Sequence, residues 1–184
     1  MSVAELDYNN LFKATAEGDK DTSMSIGVFK GNASIVVFKA KESRPAIKIG
    51  LPGEGRVILM KDARKILTGG PDQHISRTIY KWNPEEKKME SAGTIIIGRN
   101  DRNVAFIGIS GPSFTGVRFP FRISGAWSSE SMTESEKSEF GLEHFINVIE
   151  RDVPNAISHT SVKREFTGSS QGSGQSSSSH GPAF

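Results

Sequence analysis

No cysteine occurs anywhere in the chain. Disulfides, thiol nucleophiles and cysteine metal sites are therefore excluded. No apolar run approaches the roughly 20 residues needed to span a membrane. The first residues carry Glu5 and Asp7 and lack a basic-then-apolar leader pattern. These absences set the expectation of an intracellular, cytoplasmic protein with no membrane partner. Catalytic signatures are also missing. The histidines, His74, His144, His159 and His180, are scattered. There is no HExxH, no phosphate-loop glycine pattern and no GxSxG elbow. Gly108-Ile109-Ser110-Gly111 lacks the spacing of a nucleophile turn. The expectation is a non-enzymatic protein with no cofactor and no metal.

What is present is an uneven charge distribution. The net charge of the 184 residues is only +2, and the length suggests one domain with modest extensions. Residues 30–102 hold 15 Lys/Arg against 8 Asp/Glu, a net of +7. Residues 128–152 hold 2 basic against 7 acidic residues, a net of −5. Such asymmetry fits a surface that faces a polyanion and an opposite one that repels it.

Strand signals begin near Ser25. Residues 26–30 and 33–39 are separated by Gly31-Asn32 and form either a tight hairpin or one long strand bulged at Gly31. Residues 46–51 alternate Ile47, Ile49 and Leu51 against Lys48, and Pro52-Gly53-Glu54-Gly55 is a turn cluster. Residues 56–60 read as a fourth strand. Asp62 then caps a short helix over 63–67, ended by Gly69-Gly70-Pro71.

A second β-rich half follows, with strands over 75–82, 94–99, 104–109 and 117–123. Asn100-Asp101-Arg102-Asn103 forms a hairpin loop. The last strand sets Val117, Phe119, Phe121 and Ile123 against Arg118 and Arg122. Pro120 places it at a sheet edge, because proline has no N–H to donate. Thr133 starts a longer helix with acids in its first turns, where the helix dipole favours them. Its stripe runs through Leu142, Phe145, Ile146, Ile149 and Val153, and Pro154 stops it. From about Ser158 the composition turns to Ser, Gly and Gln, which cannot bury enough apolar surface to fold. The division is an N-terminal extension over 1–22, a folded domain over 23–157 and a Ser/Gly-rich flexible tail over 158–184, expected to be disordered over 167–182. The fold class is α+β, two twisted four-stranded antiparallel sheets each followed by a helix.

The segment Phe29-Lys30-Gly31-Asn32-Ala33-Ser34-Ile35, set in that element order, resembles the Whirly family of single-stranded DNA-binding proteins. The chain is more distantly similar to the transcriptional positive-cofactor-four family. The aromatic residue, the first lysine, the glycine and the first alanine of the Whirly Lys-Gly-Lys-Ala-Ala-Leu hallmark are matched, while Asn32 replaces its second lysine. The resemblance covers residues 24–157. It implies a Whirly-like fold, sequence-independent binding of single-stranded DNA, or RNA, and assembly as a homo-oligomer through helices. The stripe Leu142/Phe145/Ile146/Ile149 is the candidate for that contact, or else plain core.

Candidate nucleic-acid contacts follow from residue type. Lys30 and Asn32, beside Gly31, suit phosphate and base edges, and Phe29 suits stacking or core. Lys39, Lys41, Arg44 and Lys48 suit a phosphate track. Tyr80, Lys81 and Trp82 combine rings with charge, as single-strand surfaces do. A tail ending at Phe184 suits recruitment of replication or transcription proteins. The function expected is single-strand binding in replication, recombination or repair, in a viral or bacterial setting. The alternatives are a transcription coactivator on melted DNA and a structural assembly protein that does not bind DNA.

Overall fold

The computed structural model describes residues 8–168, with side chains described for residues 8–161. Its architecture is α+β. The first sheet has strands β1 (Phe12–Ala16), β2 (Asp19–Phe29), β3 (Asn32–Lys39) and β4 (Ile47–Gly50), and helix α1 (Gly53–Leu67) follows it. The second has β5 (His74–Asn83), β6 (Lys88–Arg99), β7 (Ala105–Gly111) and β8 (Phe114–Pro120). After it come α2 (Glu134–Asn147), a π-helical turn (Val148–Asp152) and α3 (Val153–Gly168). Both sheets are antiparallel meanders in chain order.

Alternation explains each sheet's inner face. Met24, Ile26 and Val28 of β2 pair across from Val37, Ile35 and Ala33 of β3, and all six are buried. In the second sheet Ile97, Ile107 and Phe119 form one buried row across β6, β7 and β8. The two inner faces and the three helices share one core. Phe12, Phe121 and Phe145 meet in it with ring centroids 5.2–6.1 Å apart. The sheets also touch at their margins. The Glu17 N–H donates to the Arg118 carbonyl at 2.9 Å, joining the end of β1 to β8.

Several expectations need correction. Residues 56–60 are helix, not strand. Their apolar run is split between faces: Leu59 is buried, while Val57 and Ile58 are about half exposed. Leu59, Asp62, Ala63 and Ile66 make the buried stripe at helical spacing. Asp62 therefore caps nothing. It lies inside α1, 2% exposed, and accepts from Arg77 Nε and Nη2 of β5 at 2.9 Å each. Pro52 holds the N-cap position.

The sheet also starts earlier than residue 23. β1 and the first residues of β2 fall within the stretch expected to be an extension. Pro154 does not stop the last helix. Proline lacks an N–H and crowds the carbonyl four residues back, and the chain answers with a widened turn. The Val153 N–H donates to the Val148 carbonyl, five residues back, and the helix continues to Gly168. The backbone of residues 158–168 is thus helical. The remaining tail, with Phe184, lies outside the described residues.

Candidate nucleic-acid interface

The hairpin between β2 and β3 is a two-residue turn, not a bulged strand. Lys30 has φ 49° and Gly31 φ 78°, and two consecutive positive φ values match the twist of flanking strands in a type I′ turn. Phe29 pairs with Asn32 and is 65% exposed, so it is not core. The turn folds the Lys30 amine back to 5.3 Å from the Phe29 ring centroid. The Asn32 amide donates to the Lys30 carbonyl at 3.4 Å.

Gly31 itself faces α3. Its N–H donates to Thr160 Oγ1 at 2.9 Å, and a Cβ there would lie 2.7 Å from Ser161 Oγ. Glycine is favoured there by the positive φ and by α3 packed against the turn.

The other nominated cations lie elsewhere. Lys39 ends β3, and its amine sits 5.9 Å from the Phe114 ring centroid beside the β7–β8 turn. Lys41 and Arg44 are exposed in the link to β4. Lys48 pairs with Val36 and points away from the core. At about 3.3 Å per residue, the length of β3 separates the Lys30 end from the Lys39 end by roughly 25 Å. The first sheet therefore does not gather these residues into one pocket.

Tyr80, Lys81 and Trp82 lie where the β5–β6 hairpin projects beyond β7, whose pairing with β6 begins at Thr94. Tyr80 is 61% and Trp82 57% exposed. Both point outward with Met89, which pairs with Trp82. Lys81 points the other way. It meets Glu90 at 3.5 Å, whose carboxyl Asn83 holds below its usual range through a 3.0 Å hydrogen bond.

The proposed assembly stripe is not exposed. Leu142, Phe145, Ile146 and Ile149 are all buried in the chain's own core, so this stripe is intramolecular packing.

One cluster was not nominated from the sequence. On the outer face of the second sheet the Arg118 guanidinium lies 4.4 Å from the Phe106 ring centroid. Two grooves meet there, about 620 Å³ and 300 Å³, and both are lined by Asn100, Phe106 and Arg118. The smaller also takes in Arg102 and Arg122. Strand alternation already opposed Arg118 and Arg122 to Phe119 and Phe121. What it could not supply was the ring beneath the guanidinium.

Among the described residues no group of histidines and carboxylates is arranged to hold a metal ion, and no helix is long and apolar enough to cross a membrane. Comparison with models of protein families, with curated proteins and with solved structures finds no match.

Proposed function

We propose that the protein is a non-enzymatic, sequence-independent single-stranded DNA-binding protein of Whirly-like fold, acting where single strands are exposed in replication, recombination or repair. The observation that carries this reading is the exposure of large rings beside cations on strand surfaces. Phe29 stands beside Lys30, and Tyr80 and Trp82 share the outer face of the second sheet with Arg118, all three rings more than half exposed. Burying such rings elsewhere is worth a large apolar gain. Unpaired bases offer them a π-face whatever the sequence. The acids of the net −5 segment, with Glu134 and Glu136 in the first turn of α2, lie apart in sequence from these rings and their neighbouring cations.

The test is titration of labelled single- and double-stranded oligonucleotides, read by anisotropy or gel shift at several salt concentrations. Preferential single-strand binding that weakens as salt rises, through counterion release, is the expected result. Equal or absent binding of both forms rejects the reading.

A second reading has an observation of its own. Tyr80, Trp82 and Met89 make an exposed apolar patch on a projecting hairpin, and such patches also mark protein contacts. An assembly protein using that arm would form oligomers that Trp82→Ala disperses, as seen by light scattering, without binding DNA.

A further inference from the structure

The arm and the arginine groove share one surface. Along β5 the outward positions are His74, Ser76, Thr78, Tyr80 and Trp82, because their neighbours Ile75, Arg77 and Ile79 turn inward to the core and α1. Pairing extends this face across the sheet. His74 lies level with Gly98, Phe106 and Pro120; Ser76 with Ile96, Gly108 and Arg118; Thr78 with Thr94 and Ser110. The larger groove lies over these rows, and Tyr80 and Trp82 continue them onto the arm. From His74 to Trp82 the surface runs eight residues, roughly 26 Å.

Its chemistry is graded. None of the outward strand positions is acidic. The floor is Ser, Thr and Gly, with Ile96, the His74, Phe106 and Pro120 row, and one cation, Arg118. At one end stand two exposed rings. At the other, three guanidiniums line one groove, and among the described residues Arg102, Arg118 and Arg122, like Arg44 and Arg56, form no ion pair, whereas Arg64, Arg77, Arg99 and Arg151 are paired. Four carboxylates also line the grooves. Asp72 and Asp101 sit in turns at the larger groove, and Glu17 and Glu134 flank the smaller. Glu134 is taken by Lys137 at 3.3 Å. The acids therefore lie off the strand floor.

A neutral floor, stacking rings and unpaired guanidiniums are what a single strand of nucleic acid requires. By contrast, the Lys30-Gly31 turn already has α3 against it. We infer that the single strand lies along the outer face of the second sheet, with bases against Tyr80 and Trp82 and phosphates against Arg118, Arg102 and Arg122. This inference rests on the single-strand reading and deepens it by assigning the surface. The hairpin of the first sheet then serves mainly to receive α3.

The probe is fluorescein-labelled oligo(dT), titrated into the full chain. Trp82→Ala and Tyr80→Ala should each weaken binding about 5- to 150-fold, the worth of one stacked base. Arg118→Ala should weaken it and lower the slope of log affinity against log salt by about 0.7, one phosphate's share on a single strand. Gly108→Val tests the floor without removing charge. A Cβ there meets nothing closer than 3.6 Å; the melting curve checks that the γ-methyls are also accommodated, and with the melting temperature kept the raised methyls should cost tenfold or more in affinity.

Lys61→Ala, on exposed α1 surface, is the control and should bind like the wild type. A Trp127→Phe chain keeps Trp82 as its sole tryptophan, and its fluorescence should change on binding. If the wild type binds no oligo(dT), the single-strand reading itself fails. If the wild type binds and these variants bind equally well, only the assigned surface fails. If the two ring variants weaken while Gly108→Val and Arg118→Ala do not, the path across the sheet is overturned.

Discussion

Replacing Arg99 by methionine should destabilise the fold more than any surface change. Arg99 ends β6 with its side chain fully shut from solvent. Its Nε donates to the Ile66 carbonyl and Nη2 to the Leu67 carbonyl, both at 2.8 Å, and Nη1 to the Asn103 carbonyl at 3.1 Å. Glu139 of α2 supplies the countercharge at 3.0 Å. One guanidinium thus satisfies carbonyls in the last turn of α1, which have no partner within the helix, and ties α1, β6 and α2 together. Methionine keeps most of the stem's volume and removes every donor.

Hydrogen bonds to charged groups are worth about 1.5–3 kcal/mol each. The loss is partly offset, because Ile66 retains the Gly69 N–H at 3.1 Å and Glu139, 42% exposed, can hydrate. A net cost of about 3 kcal/mol follows, which at this chain length lowers Tm by roughly 6–12 °C. Glu139→Gln should cost under about 1 kcal/mol, since its partner keeps the three carbonyls. Urea denaturation followed by circular dichroism measures both. An Arg99→Met loss below about 1 kcal/mol, or a Glu139→Gln loss as large as that of Arg99→Met, would refute the claim that carbonyl capping dominates.

Gly31→Ala should cost about 1–3 kcal/mol, because it forces a side chain into positive φ and against Ser161; an unchanged melting curve would contradict the clasp by α3. Acid should weaken the fold through Asp19 and Glu90. Thr22 Oγ1 donates to Asp19 at 2.6 Å, the Asp21 N–H adds to this, and Asp19 is held below its ordinary range; Asn83 and then Lys81 do the same for Glu90. A carboxyl lowered in the folded state contributes fully above its unfolded value, near 4, and that contribution is lost as pH falls through the lowered value. Denaturation midpoints between pH 7 and 2 should show this loss, and Thr22→Val should flatten it; an identical acid limb in the variant argues against the Thr22 bond as its cause.

The second sheet was readable in part: β6 begins at Lys88 rather than 94, and β8 runs over Phe114–Pro120 rather than 117–123, but the inward positions stood out. Ile95/Ile97, Ile107/Ile109 and Phe119 each mark an inward position, Asn100–Asn103 marks a turn, and Pro120 marks an edge. The first half was harder. β1 carries only Phe12 and two alanines on its inward side, too little apolar contrast to stand out between charged neighbours. Residues 56–60 look like a strand because Val57 and Ile58 are β-branched, and only the position of Asp62 on the buried stripe reveals a helix. That carboxylate is buried because Arg77 reaches it from β5, fifteen residues on, a contact that local pattern cannot show. The Leu142–Ile149 stripe was visible as a stripe. Whether it met this chain or another depended on two sheets closing over it.

The same distinction governs the candidate site. Residue type alone pointed to Lys30-Gly31-Asn32, a cation and a glycine at the head of a β-run. Gly31 instead has a packing reason for being glycine, since Thr160 and Ser161 occupy the space a ligand would need. The arginines opposite Phe119 and Phe121 looked like an ordinary solvated strand face. Three-dimensional pairing brings Phe106 under Arg118, leaves that face without a side chain at Gly108 and Gly116 and places Tyr80 and Trp82 on the same surface. Among the described residues Arg102, Arg118 and Arg122 make no direct ion pair, unlike Arg64, Arg77 and Arg99, although four carboxylates rim the same grooves. A bound polyanion would give those guanidiniums direct partners, which is why the outer face of the second sheet, rather than the lysine turn, is the place to look for it.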